Sequence, residues 1–87
     1  MDWNPDGVQC SFQGGKDAKG DDEDGIGISA TSDLCFRNVL QYAKRNSQKS
    51  VNGATWHTSD KMCWAEIGAK SLEDKLEWDS CIFSGIE

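Results

Sequence analysis

Four cysteines, spread over almost the whole of an 87-residue chain, constrain the fold more than any other feature of the sequence. They are Cys10, Cys35, Cys63 and Cys81, and no two are spaced like the paired ligands of a zinc site or a C-x-x-C redox motif. An even number of widely spaced cysteines in a small chain is typical of secreted domains that disulfides stabilise. We therefore predict two disulfides and a secreted, extracellular protein, with every pairing still open at this point.

The length and composition indicate one domain with a small core. We place the domain at residues 1–87 and its core at about 8–84, because a chain of this length has no room for a second core. A domain of this size buries only about 60–65% of the surface of its unfolded chain. Since aliphatic residues are few, we expect most of the four tryptophans to lie in the core, with Trp3 exposed near the N-terminus.

The charge and hydropathy of the chain argue against several classes of partner. A net charge of −6 disfavours nucleic acids and polyanionic glycans, which bind through clustered lysine and arginine. No apolar run approaches the ~20 residues of a membrane-spanning helix. No signal-peptide core is present either, so secretion would mean that the sequence is that of a mature domain. We expect a monomer in isolation, or one module of a larger protein.

The first third of the chain predicts a strand followed by a loop. Residues 7–13 alternate Val8, Cys10 and Phe12 with polar residues, a pattern typical of a half-buried strand. Residues 14–27 begin with two glycines, are rich in charge and lack apolar periodicity. We therefore expect residues 14–27 to form an exposed acidic loop.

The remainder predicts one helix and three further strands. Residues 31–46 carry apolar side chains at helical spacing between an N-terminal Thr-Ser pair and a C-terminal Lys-Arg pair, so they favour an amphipathic helix. Residues 52–57 and 61–67 favour a β-hairpin, 68–76 a polar loop, and 78–83 a last strand. The predicted fold class is α+β, with a single helix on a small twisted antiparallel sheet.

The acidic residues between the first strand and the helix are the best metal candidates by charge. Calcium binds six to eight oxygen ligands, and an EF-hand frame set on Asp22, Asp24 and Gly25 has Gly20 at its first position and Thr31 at its twelfth, so both key ligands are missing. We expect at most weak calcium binding and no other cofactor. An acidic matrix protein associated with calcium or mineral is therefore the alternative function, and its candidate ligands are Asp17, Asp21, Asp22, Glu23 and Asp24.

His57 is the only histidine, so any histidine-dependent catalysis would rest on it. Ser59 and Asp60 follow within the predicted hairpin turn, but neighbouring residues on a tight turn are not expected to take up the geometry of a catalytic triad. We predict that the protein is not an enzyme.

With helix and hairpin placed, residues 33–83 resemble a PAN/apple domain. The features that carry the resemblance are a cysteine on the helix, "NGATW" entering the hairpin, "MCWAEIG" in its second arm and "W-x-x-C-x-F" in the closing strand. Cys10 in the opening strand completes the order, and the likeness covers about residues 8–84. Val39 stands where many apple domains have a further helix cysteine, so the chain resembles a two-disulfide variant.

The resemblance implies a five-stranded antiparallel sheet with one helix across it, and the pairings Cys10–Cys81 and Cys35–Cys63. It also implies an extracellular, non-enzymatic module for recognition or adhesion that binds a protein or a carbohydrate. Family members differ in their contact residues, so we take candidates from the exposed hairpin and the predicted 68–76 loop. Together with Trp3, which we expect to be exposed near the N-terminus, the candidates are His57, Ser59, Asp60, Lys70, Glu73 and Lys75.

Overall fold

A computed structural model describes residues 7–83 of the chain. One helix lies across a five-stranded antiparallel sheet with the strand order β1-β5-β3-β4-β2, so the predicted architecture is confirmed. The elements are β1 (Gln13–Lys19), β2 (Asp22–Ile28), α1 (Ser32–Arg45), β3 (Val51–His57), β4 (Met62–Ile67) and β5 (Ser71–Ile82), with a short 3₁₀ turn at Ser47–Lys49 before β3.

The helix α1 begins and ends where its sequence predicts. Thr31 has extended backbone angles, and its hydroxyl accepts a hydrogen bond of 3.1 Å from the backbone N–H of Leu34, which caps the first turn. Asp33 in the first turn and two basic residues in the last turn complement the helix dipole. The buried side of α1, which lies on β3 and β4, consists of Cys35, Phe36, Val39, Leu40 and Ala43.

Removing the helix cap is expected to cost stability without changing the fold. The substitution Thr31→Ala leaves the N–H of Leu34 without its side-chain acceptor, which lowers the free energy of unfolding by about 1 kcal/mol. Urea denaturation followed by circular dichroism measures the loss. Thr31→Ser keeps the hydroxyl and is the control; an equal loss in both variants would contradict a capping role.

The predicted hairpin is also confirmed, with β3 and β4 joined by a turn at residues 58–60. The backbone N–H of Lys61 donates to the carbonyl of His57 at 2.8 Å and closes the turn. Ala54 lies opposite Ala65, and these small, fully buried side chains let α1 approach the sheet closely.

Both disulfides have the pairing that the family resemblance implies. Cys35 on α1 is joined to Cys63 on β4, and Cys10 is joined to Cys81 on β5, each with 5.4 Å between the two Cα atoms. One bond ties the helix to the centre of the sheet. The other holds the segment before β1 against the last strand.

Three elements differ from the sequence-based predictions. Residues 14–27 are not an exposed loop, because they form most of the two edge strands β1 and β2. The opening strand predicted over 7–13 has regular structure only from Gln13 onward, and the polar loop predicted over 68–76 is the first half of β5. Edge strands and their neighbours are largely exposed, so they need not show the apolar alternation by which strands are recognised.

The tryptophans are likewise placed differently from the prediction. Trp56, Trp64 and Trp78 are each only partly buried, and Trp3 lies outside the described residues. The core is built from smaller side chains on α1 and the middle strands, above all Val39, Leu40 and the Cys35–Cys63 bridge. The disulfide therefore takes a central place that a larger apolar residue would otherwise occupy.

The connection from β1 to β2 forces the sheet to coil. These strands are opposite edges of the sheet, yet only Gly20 and Asp21 separate them. In a flat sheet the edges would lie about 19 Å apart, whereas this link spans at most ~11 Å. Hydrogen bonds from the N–H of Asp21 to Ile67 (3.0 Å) and from the N–H of Lys70 to Lys19 (2.7 Å) hold the link across the sheet end.

Gly20 permits this close crossing. A Cβ atom at Gly20 would lie 2.7 Å from the Cα of Ala69, a separation that real side chains do not tolerate. The helix covers one face of the coiled sheet. The face turned away from α1 is the inside of the coil, and we call it the concave face.

Candidate functional site

The concave face carries an unusual row of buried polar side chains. The strand register places Thr55 of β3 opposite Trp64 of β4 on one side and opposite Ser80 of β5 on the other. Thr55 and Ser80 are fully buried although no helix within residues 7–83 covers this face, and their hydroxyl oxygens are 2.7 Å apart. The coil of the sheet therefore encloses a polar interior at this end.

Glu66 of β4 is the ionisable group at the centre of this interior. Only 2% of its surface is exposed, and it lies across from Gly53 in the sheet register. A Cβ atom at Gly53 would be 3.1 Å from the Cβ of Glu66, so glycine leaves the room that the glutamate side chain occupies. The side chain of Glu66 therefore fits inside the coil because Gly53, across the sheet, has no side chain to occupy the same space.

The hydrogen bonding of Glu66 is incomplete. Its Oε2 atom is buried and has no hydrogen-bond partner among the residues that the structure describes. The Thr55 hydroxyl interacts with the carboxyl group of Glu66 and is 2.7 Å from the Ser80 hydroxyl, and in that pair either oxygen can be the donor.

Burial raises the pKa of Glu66 to about 8. The hydrogen bond from Thr55 opposes this rise in the pKa, while the charges of Glu23 and Asp17 add to it and Lys19 reduces it. Glu66 therefore carries a proton over most of the pH range below 8. The pKa of Glu23 is also raised, first by burial and then by the charge of Asp17.

An acidic pocket of about 250 Å³ opens beside Glu66. Its walls are residues 17–23, which run from the end of β1 through the link into β2, together with Glu66. Two lysines pair with acidic residues of this region. Lys19 Nζ is 3.2 Å from Glu73 and 3.9 Å from Asp17, and Lys75 Nζ is 4.0 Å from Asp17. Carboxyl groups thus outnumber ammonium groups around the pocket.

The predicted metal ligands divide between the two faces of the sheet. Asp17, Asp21, Asp22 and Glu23 line the acidic pocket. Asp24 lies instead on the helix side, where it accepts hydrogen bonds from the Tyr42 hydroxyl and from Lys49 at 3.0 Å; these bonds lower its pKa. Within residues 7–83, no group of three or more His, Cys, Asp or Glu side chains is arranged to hold a metal ion.

The structure brings His57, Ser59 and Asp60 together at the far end of the concave face. Asp60 Oδ1 is 2.8 Å from His57 Nδ1, and the imidazole stacks on Trp78 with 4.4 Å between ring centroids. Ser59 Oγ is 3.3 Å from Nε2 but also 3.5 Å from Nδ1. A hydroxyl almost equidistant from both nitrogens does not lie along the Nε2 lone pair, so these neighbours are in contact without the alignment of a triad.

The other predicted contact residues lie along the side of the concave face formed by β1 and β5. Glu73 and Lys75 belong to the rim of the acidic pocket, with Lys75 Nζ also 5.1 Å from the centre of the Trp78 ring. Lys70 pairs with Asp21 at 3.3 Å on the link between β1 and β2. Trp3 belongs to the undescribed N-terminal segment.

The partly buried tryptophans already have partners on their ring faces or edges. The indole N–H of Trp56 donates to the carbonyl of Ser29 at 2.9 Å, and Lys61 Nζ lies 5.3 Å from its ring centre. Trp78 contacts both His57 and Lys75. Trp64 lies over Gly25 of β2. These contacts leave little ring surface for a sugar to stack on.

Glu66, Thr55 and Ser80 were not among the predicted site residues. The available signal was weak: Glu66 is an acid between Ala65 and Ile67 in an otherwise apolar strand. Alternation along the strand places Glu66 on the face of the sheet opposite to that of Cys63. When a helix covers one face of an antiparallel sheet, the other face is normally exposed to solvent.

Searches with models of known protein families, among curated proteins and among solved structures find no match to this chain. In the part of the chain that the structure describes, no helix has the length and apolar character needed to cross a membrane.

Proposed function

We propose that this chain is a non-enzymatic recognition module of an extracellular protein, and that it binds a protein ligand on the concave face. The observation that carries the proposal is the acidic pocket, whose walls include a buried carboxyl group with an unpartnered oxygen. Around it lies a rim of charged groups, with about half of the Glu73 and Lys75 side chains exposed (54% and 52%). A polar pocket with a charged rim suits an anchoring side chain surrounded by weaker contacts.

A protein ligand is favoured over a carbohydrate because of how the aromatic residues are used. Sugar sites depend on open aromatic faces, whereas Trp78 is stacked by His57 and approached by Lys75. The proposal that the chain is a two-disulfide PAN/apple-like domain is supported by the helix, the five strands and the two bridges, and such domains include protein-binding modules.

Peptide selection on the intact, oxidised domain tests this function. Random peptides displayed on phage are selected on the immobilised domain. The affinities of the selected peptides are then measured for the wild-type domain and for two double variants. Glu73→Ala with Lys75→Ala alters the rim of the concave face; Asp33→Ala with Arg45→Ala, also charge-neutral, alters the exposed side of α1. We expect the rim variant to weaken binding by about tenfold or more and the helix variant to leave it unchanged.

Two results would overturn the proposal. Peptides that lose binding only with the helix variant would move the site to the other face. Amide shifts of the concave face with neutral sugars, in the absence of peptide binding, would make the module a carbohydrate binder. Calcium chloride is tested in the same way as the peptides and the sugars, because four candidate metal ligands line one pocket. Calcium-induced amide shifts confined to residues 17–23 would favour the matrix-protein alternative.

A further inference from the structure

The acidic pocket presents a buried acceptor that nothing in the described structure satisfies. Glu66 is 2% exposed, lines the pocket and has an Oε2 atom without a donor among residues 7–83. Leaving such an atom without a donor costs free energy, so a ligand that supplies one gains that free energy on binding. The free oxygen therefore specifies a hydrogen-bond donor as the group that enters the pocket.

The charges that face Glu66 specify the sign of that donor. From β1 come the carboxylate of Asp17 and the ammonium group of Lys19; from β2 comes Glu23; β3 contributes only the neutral hydroxyl of Thr55. Lys19 also lines the pocket, and its ammonium group is 3.2 Å from Glu73 and 3.9 Å from Asp17. The lining has more carboxyl groups than ammonium groups, and this excess of acidic groups favours a cationic donor.

The oxygens that Glu66 can offer to a ligand determine whether a lysine or an arginine side chain fits the pocket better. Arginine binds best when one carboxylate offers both of its oxygens to the planar guanidinium. Of the two oxygens of Glu66, Oε2 is the one that is buried without a partner, so the carboxyl group does not offer two equivalent acceptors to a guanidinium. A lysine ammonium carries three donors that can point to separate residues, such as Glu66, Asp17 and Glu23.

We propose that the acidic pocket binds the ε-ammonium group of a lysine side chain presented by a protein ligand. This inference rests on the proposed function and names the group that anchors the ligand. Lysine binding also requires a defined proton transfer. The neutral carboxyl group of Glu66 releases its proton to solvent, and the resulting carboxylate pairs with the incoming ammonium, so one ion pair forms and one proton is lost.

This proton release predicts how the affinity depends on pH. Because burial raises the pKa of Glu66 to about 8, only a small fraction of the domain is in the ionised, binding-competent form near neutrality. The apparent dissociation constant should therefore fall by about tenfold or more between about pH 6 and about pH 9, while the lysine stays charged.

The test uses Nα-acetyl-lysine methylamide as the probe and amide NMR of the oxidised domain as the readout. The norleucine analogue, which lacks the ammonium, and the arginine analogue are the matched probes. We expect saturable shifts at residues 17–23 and at Glu66 with the lysine probe, little response to norleucine, weaker binding of arginine, and the stated pH dependence. Glu66→Gln should abolish the pH dependence and weaken binding by about tenfold, whereas the exposed control Glu77→Gln should bind like the wild type.

Several outcomes would overturn the inference. Equal shifts with norleucine, tighter binding of arginine, or an affinity of the wild-type domain that does not change with pH would each do so. Displacement of the lysine probe by calcium chloride from the same residues would assign the pocket to a metal instead. Failure of the lysine probe while selected peptides still bind the rim of the concave face would leave the proposed function standing; failure of both would remove both.

Discussion

The double substitution Cys35→Ala/Cys63→Ala is expected to lower the free energy of unfolding by about 4 kcal/mol or more. The disulfide closes a loop with a sequence separation of 28, and the loss of this constraint on the unfolded chain contributes about 3.5 kcal/mol. Both cysteines are completely buried between α1 and β4, so removal of the sulfur atoms also leaves unfilled space in the core. The free energy of unfolding of a small domain is only about 5–15 kcal/mol in total, so this change brings the domain close to unfolding.

Urea denaturation followed by circular dichroism, under oxidising conditions, measures this effect. The control is Cys10→Ala/Cys81→Ala, which removes a longer loop with a sequence separation of 71 but takes out one cysteine that is only partly buried. Loop entropy alone predicts about 4.4 kcal/mol for this control. Because the core also loses volume in the Cys35/Cys63 variant, we expect the two losses to be similar despite the shorter loop. A loss below about 1 kcal/mol for Cys35/Cys63 would show that the bridge does not hold the helix to the sheet.

The second large effect is a loss of stability as the pH rises. The pKa of Glu66 is about 8 in the folded domain and near 4.5 when the chain is unfolded, so the folded state retains a proton that the unfolded state releases. The stability contributed by this proton is fully present below about pH 4.5 and is lost as the pH rises through about 8. The free energy of unfolding should therefore fall by roughly 3–5 kcal/mol across this window.

The substitution Glu66→Gln isolates this effect. Glutamine has nearly the same shape but does not ionise, so the free energy of unfolding of the variant should lose most of its dependence on pH between about 4.5 and 8. The raised pKa of Glu23 accounts for the smaller fall that remains. Glu73→Gln changes a carboxyl group at the exposed rim and should retain the slope of the wild type. Lowered pKa values at Asp24 and Asp60 contribute with the opposite sign, since their stabilising effect is lost as the pH falls below the ordinary aspartate range. A wild-type curve that is flat up to pH 8 would contradict the burial of an unpaired carboxyl group.

The helix and hairpin could be predicted because each buries one side. Cys35 and Val39 recur at helical spacing, while Ala54 and Trp56 in one strand and Cys63 and Ala65 in the next recur at a spacing of two. Both disulfide pairings followed only from the family resemblance. In contrast, the edge strands β1 and β2 bury little apolar surface, and their charged residues gave no alternation to detect.

The candidate site could not be predicted because it depends on the strand order. The coil that buries Glu66 arises from a two-residue link between opposite edges of the sheet, and those edges are known only once β5 is seen between β1 and β3. The acidic candidates Asp17, Asp21, Asp22 and Glu23 line one pocket, whereas Asp24 lies on the helix side. Along an edge strand, successive side chains alternate between the two faces, which a charge cluster in the sequence does not reveal.

The most direct test of this account is a pH titration of the Glu66 carboxyl carbon by NMR in the oxidised, unliganded domain. Everything proposed for the concave face depends on this carboxyl group being buried without a counter-charge. We predict a titration midpoint of about 8. A midpoint near the ordinary glutamate value of about 4.3 would show that water or a cationic neighbour already stabilises the charged carboxylate of Glu66. That result would contradict the assignment of the acidic pocket as the ligand site.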